Sequence, residues 1–253
     1  MNYFSILAIY RFEMSRTFRS PLQSIASPVV STILYLIVFG AAIGGRVDSI
    51  DGVSYDLYII PGLIMLTVMT QSVSNASFGI YFPKYLGTIY EPLSAPISHW
   101  EIILGYVGAA MTKSLLLGII VFGVAYTVVD IELFSPVTMV VFLVLTAFGF
   151  SLLGFIVGIW AKNFEQLSLV PLLILNPLIF LGGSFYSIEM LPSHFGALTM
   201  INPMLYLISG FKWTFFGNSD VSVFISLAAI MVFCTSLLML ARWIFFTGYK
   251  LRP

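Results

Sequence analysis

Six long apolar stretches set the pattern of the chain, near 23–43, 57–79, 110–129, 136–159, 166–185 and 222–241. Each is close to the roughly 20 residues that an α-helix needs to cross the hydrocarbon core of a bilayer. None alternates apolar and polar positions as the strands of a membrane β-barrel do. The pattern therefore predicts an all-α, polytopic membrane protein with six transmembrane helices in a single domain spanning 1–253. Charged residues mark the ends of the runs. Arg19 to Arg46 is 27 residues and Asp56 to Lys84 is 28, about 40 and 42 Å of helix, which matches a bilayer with its headgroups.

Three further segments are not simple spans. Within residues 1–20, Tyr3, Leu7, Tyr10, Met14 and Phe18 recur at spacings of three and four, while Arg11, Ser15 and Arg19 fall on another face. This predicts an amphipathic helix lying on the inner leaflet. Its charges follow the apolar residues, unlike those of a cleaved signal. Residues 80–100 carry Pro83, Pro92 and Pro96 and are expected to form a polar loop outside the lipid. Residues 186–213 are apolar but broken by Pro192 and Pro203. They predict a re-entrant pair of short helices.

Composition agrees with a membrane protein. Of 253 residues 59% are hydrophobic and only 9% charged, with mean hydropathy +1.02 and zero net charge. A soluble domain carries about 25% charged residues, so soluble, disordered and nucleic-acid-binding classes are excluded. Orientation follows from Lys and Arg. With the N-terminus in the cytoplasm, the inner segments hold Arg11, Arg16, Arg19, Lys84, Lys113, Lys162, Arg242, Lys250 and Arg252, and the outer ones only Arg46 and Lys212. The outer segments collect Asp48, Asp51, Asp56, Asp130, Glu132, Glu189 and Asp220. This positive-inside bias places both termini in the cytoplasm. Lys113 lies 17 residues before Asp130, about 25 Å along a helix, so it is expected to snorkel at the inner boundary, with residues 99–112 a helical lead-in.

Candidate chemistry is sparse. Gly108 to Ser114 lacks the glycine that a phosphate-binding loop needs before Lys113, and no metalloprotease or serine-hydrolase motif occurs. Ser184 with His194, and His99 with Glu101, read more simply as a helix end and as interfacial polar residues than as catalysts. Cys234 is expected to be a small buried hydrophobe. No catalytic, cofactor-binding or metal-binding residue is expected. Thr67, Thr70, Gln71, Ser74 and Asn75 form one polar stripe on the second span. Such a stripe either hydrogen-bonds another helix or faces a wet path. Asn176-Pro177, with Pro171 before it, predicts a kinked fifth span. Gly40/Gly44 and Gly154/Gly158 are small-residue pairs, the first allowing a homodimer seam.

Several motifs then occur in order. Ile60-Pro61-Gly62-Leu63-Ile64 opens the second span, and Glu91-Pro92-Leu93-Ser94-Ala95-Pro96-Ile97 lies in the inner loop. Leu181-Gly182-Gly183-Ser184-Phe185-Tyr186, Leu191-Pro192, Ile201-Asn202-Pro203-Met204-Leu205-Tyr206 and Ser209-Gly210-Phe211 make up the outer region. Over nearly the whole chain this arrangement resembles the permease subunits of type-2 ABC exporters, the ABC-2 family, in its YadH-like branch of bacterial inner-membrane permeases. The resemblance implies two permease copies, a homodimer, in the plasma membrane, paired with two copies of a separate ATPase subunit that binds ATP and Mg. It makes the loop from Leu86 to Ile97 the coupling helix, with Tyr90, Glu91, Pro92, Leu93, Ala95 and Pro96 contacting the ATPase. Lys162 and Glu165, in the loop from Lys162 to Gln166, become a secondary contact. Pro92 directly after Glu91 departs from the family pattern and leaves the limits of that helix open.

The resemblance also implies a substrate path at the permease dimer interface, lined by the first, second and fifth spans. Thr67, Gln71, Asn75 and Asn176 are its candidates. Phe180, Phe185 and Tyr186 form either an outer gate or an aromatic interface belt. The expected function is export of a hydrophobic or amphipathic substrate (a drug, lipid or lipid-linked glycan), since no buried counter-charge cluster is expected to hold a charged solute. The alternatives are a passive channel or ion-coupled carrier without an ATPase, and a membrane enzyme.

Overall fold

The computed structural model describes residues 2–19, 21–44, 49–190, 192, 196 and 199–250, with the side chains of 41–43 and 189 outside the description. Arg46, Asp48, Leu191, His194 and Arg252, together with the Glu189 side chain, thus lie outside the described residues. Helix α1 (Tyr3–Arg19) leads through a π turn (Leu22–Ala26) into α2 (Ser27–Ile43). A two-residue hairpin, β1 (Ser49–Ile50) and β2 (Val53–Ser54), turns on Asp51 and Gly52 at φ of 52° and 80°. These left-handed residues suit a tight hairpin. Then follow α3 (Tyr55–Tyr58), α4 (Ile60–Leu86), α5 (Tyr90–Ser94), α6 (His99–Val128) and α7 (Pro136–Trp160). Helix α8 (Phe164–Leu169), a second π turn (Val170–Leu175) and α9 (Asn176–Leu181) run on continuously. The chain closes with α10 (Pro203–Phe216) and α11 (Val223–Thr247). Among the described residues, six segments are long and apolar enough to cross a membrane, beginning at Leu22, Tyr55, His99, Pro136, Phe164 and Val223. The six expected spans are therefore present.

Helix α4 is the axis. Its apolar face is buried from Ile60 to Tyr81 by α6 and α7, with α10 and α11 closing the layer behind α7. Lipid tails are as apolar as leucine, so close van der Waals packing, not exclusion from water, holds such helices together. Gly154 and Gly158 supply that contact. A Cβ on Gly154 would overlap the Val73 carbonyl, and one on Gly158 would sit 2.5 Å from the Ser77 carbonyl oxygen. Gly118 similarly admits Val68 to α6. Cys234 is buried as expected, its thiol 3.4 Å from the Leu145 carbonyl on α7.

The acidic end is locked by the motifs of the outer region. Gly62 lets the start of α4 lie directly on the Ser184 backbone. Asn202 caps α10 by accepting from the Met204 N–H and donates 2.6 Å to the Leu178 carbonyl of α9. Lys212, on α10, donates 2.5 Å to the Gly183 carbonyl and lies 3.8 Å over the Tyr58 ring. Helix α10 is buried and about 21 Å long, too short to span. At the opposite, basic end, Lys84 donates to the Ile159 and Ala161 carbonyls at 2.5 and 3.2 Å, and Lys250 to the Trp160 carbonyl at 2.9 Å. These cations satisfy the last carbonyls of α7, at the negative end of its dipole.

Three expectations need correction. Residues 80–86 are not loop: α4 continues through Pro83 to Leu86 and ends at Gly87, φ 76°. Ile80, Tyr81 and Pro83 are buried against neighbouring helices, and tertiary packing overrides the proline signal. Helix α1 does not simply lie on lipid. Ile9 packs on Gly105, and the Tyr10 hydroxyl lies 3.2 Å from that of Thr112. The Asn2 N–H donates 2.5 Å to Glu101, which also closes the capping box with Ser98 at the start of α6. Tyr3, Phe4, Phe12 and Phe18 stay exposed on the other side. Finally, Lys113 does not snorkel. It is 4% exposed and pairs at 3.4 Å with Glu13 of α1, itself 2% exposed and 2.8 Å from Arg16. A desolvated ammonium without water needs such a partner.

The α4–α7 contact predicts that Gly158→Val lowers the thermal unfolding midpoint, with a cost of about 1–3 kcal/mol for overpacking. Gly123→Ala, which meets nothing within 4 Å, leaves the midpoint unchanged or raises it. Scanning fluorimetry of the purified variants in detergent measures both.

Candidate functional site

Only 6% of the first span and 22% of the fifth are buried within the chain, against 78% for the span containing α4. The uncovered faces of these three elements enclose a groove running from the basic to the acidic end. It comprises three cavities that share lining residues. The one nearest the basic end, about 310 Å³, is lined by Arg16, Gln23, Gln71, Asn75, Phe82 and Lys113 among others. The middle one, about 320 Å³, contains Gln23, Ser31, Thr67, Gln71, Asn176 and Phe180. The third, about 320 Å³, holds Phe39, Tyr55, Phe180, Phe185 and Tyr186. Thr67, Gln71, Asn75, Asn176, Phe180 and Tyr186, proposed from sequence at separate places, thus line one continuous surface.

Their local roles differ. Thr67 is 5% exposed, and its hydroxyl is 2.9 Å from both the Leu63 carbonyl and Thr32 of α2. It joins helices as much as it lines the groove. Gln71, Ser74 and Asn75 are half-buried at the surface of the groove. The Asn176 Oδ1 atom is buried without a hydrogen-bond partner. Both π turns contribute to this groove, and each ends two residues before a proline. The Ser27 N–H reaches back to Leu22 ahead of Pro28, and the Asn176 N–H to Pro171 ahead of Pro177. The widened turn absorbs the backbone disturbance that a proline imposes. At the acidic end Tyr35, Phe39, Phe185 and Phe180 stack in sequence, with ring centroids 6.1, 4.7 and 4.9 Å apart. Tyr186 donates its hydroxyl to the Leu181 carbonyl at the rim, and burial raises its pKa. Ser184 is fully buried and donates to the Ile179 carbonyl, a helix-end role.

The two loops expected to contact an ATPase both lie at the basic end. Pro92 does not break the short helix: α5 runs from Tyr90 to Ser94, with Pro92 in its first turn, where the missing N–H costs nothing. Ile89 is buried and Leu93 and Ile97 pack beneath it, while Tyr90, Glu91, Ser94 and Pro96 are exposed and Pro92 and Ala95 half-exposed. Lys162 and Glu165 are exposed on a turn closed by Gln166, whose side chain accepts from the Lys162 N–H at 2.8 Å. Phe164 of this turn sits 5.0 Å from the rings of both Tyr81 and Tyr85. The two loops are therefore fastened to the same last turns of α4.

Sequence reasoning missed two parts of the groove. Gln23, Ser27, Ser31 and Tyr35 form a polar face on the first span, at spacings of four that were legible. The buried Glu13–Lys113–Arg16 cluster also contradicts the expectation of no counter-charge; no local spacing signals a pair 100 residues apart. Outside the groove, at the acidic end, Asp51, Tyr58, Ser187, Lys212 and Asp220 line a further cavity of about 420 Å³. Burial lowers the Lys212 pKa to about 7, against the opposing pull of Asp220 and Asp51.

Comparison with known proteins gives a family match: the model for the ABC-2 type transporter covers residues 5–216. The Inner membrane transport permease YadH of Escherichia coli strain K12 is 37% identical over 248 residues, covering 98% of this chain and 97% of that protein. Nodulation protein J of Rhizobium meliloti is 26% identical over 230 residues, covering 90% and 88%. Nodulation protein J of Rhizobium leguminosarum bv. viciae is 24% identical over 233 residues, covering 90% and 88%.

Lys212 makes stability depend on pH. Between its folded value of about 7 and the ordinary 10.5, the unfolded chain binds the extra proton, so stability rises with pH across that window. Thermal midpoints recorded from pH 6.5 to 9.5 should rise, and Lys212→Met should flatten the rise.

Proposed function

The chain belongs to the ABC-2 type transporter family, and from that footing we propose that it is the membrane subunit of an ATP-driven exporter in a bacterial inner membrane. A separate ATPase subunit binds ATP and Mg and docks at the basic end, which faces the cytoplasm together with both termini. A second copy of the chain covers the groove, so that two grooves enclose one path. The substrate is hydrophobic or amphipathic, and its direction is outward.

The observation that carries this reading is the continuous groove. A polar stripe facing lipid is costly, yet Gln23 and Ser31 of the first span, Gln71 and Asn75 of α4 and Asn176 of the fifth leave one along the groove. The stacked rings of Phe39, Phe185 and Phe180 close its acidic end. The loops bearing Glu91, Lys162 and Glu165 project from the basic end, where Glu91 offers an exposed carboxylate on a packed base. Nucleotide-driven closure of two ATPase subunits would draw two such loops together and move α4 and α6, which flank each elbow. The positive-inside bias and the inner-membrane relative support the orientation and the compartment.

Co-purification with the ATPase subunit tests the reading. Glu91→Arg should reduce recovery of the ATPase by about tenfold, near 1.4 kcal/mol, and abolish nucleotide-dependent transport. Glu132→Arg, at the acidic end, should leave both unchanged. ATPase recovery and transport undisturbed by Glu91→Arg would overturn the assignment of the elbow.

A further inference from the structure

The cavity at the basic end of the groove holds charge that an apolar transport path does not require. Lys113 and Arg16 both line it, and both approach the same oxygen of Glu13, at 3.4 and 2.8 Å. One carboxylate thus faces two cations. A guanidinium has five N–H donors and an ammonium three, and Arg16 remains one-third exposed at the cavity wall. The other carboxylate oxygen, Glu13 Oε1, is buried without a partner. The cavity has room, about 310 Å³, and adds Gln71 and Asn75 as further hydrogen-bonding groups.

Position specifies the ligand further. Phe78 and Phe82 form an exposed apolar side of this cavity. Phe78 lies six residues before Lys84 on α4, about 9 Å along the axis, which is the depth where headgroups give way to acyl chains. From this point the groove continues past Gln71 into the middle cavity, whose lining includes Leu66, Leu172 and Phe180.

We infer that this cavity is an entry site for an amphipathic anion: a phosphate or carboxylate head seated on Arg16 and Lys113, with an alkyl body lying along Phe78 and Phe82. The inference narrows the substrate class of the proposed exporter and rests on that reading for its transport meaning, but the binding itself needs no ATPase. A head with acceptor oxygens replaces water on the spare donors and balances the surplus cation, and charge-assisted bonds of this kind are the strong ones. Glu13 competes with such a head for both cations through the one oxygen that Lys113 and Arg16 share.

Isothermal titration of the full chain in phosphatidylcholine nanodiscs tests this, with dodecyl phosphate as the probe. Saturable binding is expected, at least about tenfold tighter than for dodecylphosphocholine, whose head is neutral overall, and for inorganic phosphate, which lacks the chain. Arg16→Gln should weaken dodecyl phosphate binding by about tenfold, one charged contact. Glu13→Gln should strengthen it, because it removes the competing carboxylate. Opposite signs from two neutralising changes on one helix separate charge recognition from damage to the fold, and thermal midpoints check the latter. Equal affinity for dodecyl phosphate and dodecylphosphocholine, equal affinity for inorganic phosphate, or parallel loss in both variants would overturn the site. If Glu91→Arg abolishes ATPase binding while dodecyl phosphate fails to bind, the exporter reading stands and this inference alone falls.

Discussion

The contact of α4 with α7 through Gly154 and Gly158 is the constraint on which the rest of the structure depends. With hydrogen in place of a side chain, the backbone of α7 reaches the Val73 and Ser77 carbonyls of α4. Helix α6 closes on the other flank through Gly118. In a lipid solvent this closeness supplies the dispersion energy that a soluble core draws from water. It also decides where the groove lies, because α4 is buried on two flanks and open on the face between the first and fifth spans. That face carries Thr67, Gln71, Ser74 and Asn75, so the packing that stabilises the bundle also aims the polar stripe into the groove.

The other walls of the groove are built differently. The first and fifth spans are little buried by the chain, and each contains a π turn that ends two residues before a proline. A π turn costs regular hydrogen-bond geometry and persists where surrounding structure tolerates it. Two such turns on opposite walls of one groove place the backbone irregularities of both spans on the same surface. A rigid central helix facing two irregular ones is an arrangement in which the walls can shift while the axis stays intact. The stacked Tyr35, Phe39, Phe185 and Phe180 rings bridge the same two walls, from α2 to α9. Relative movement of the walls must therefore unstack them, which gives the aromatic column a mechanical reason to act at the acidic end.

Much of this was legible in the chain. Six spans followed from length and hydropathy, and the charged residues fixed which loops share an end, since both signals are local and large. Polar positions at helical spacing revealed the α4 stripe. What stayed hidden depends on distance. Nothing near Lys113 indicates that Glu13, 100 residues earlier, would meet it, so a lysine near the end of an apolar run read as a snorkelling one. Pro83 read as a helix stop because the burial of Ile80 and Tyr81, which holds α4 together past it, is a tertiary fact.

The two ends of the groove are connected by the same helix. Helix α4 carries Gln71 and Asn75 in its middle and Tyr81, Lys84 and Leu86 at its end. Lys84 grips the last carbonyls of α7, Tyr81 donates to the Lys162 carbonyl, and the Tyr81–Tyr85–Phe164 rings join the second contact loop. On the far side of α5, Glu101 ties the start of α6 to the first residues of α1. On the coupling proposed above, a displacement of the elbow at Glu91 would be received by two helices at once. Through α6 and α1 it would reach the Glu13–Lys113–Arg16 cluster, and through α4 Gln71 and Asn75, so that both routes end at walls of the same cavity.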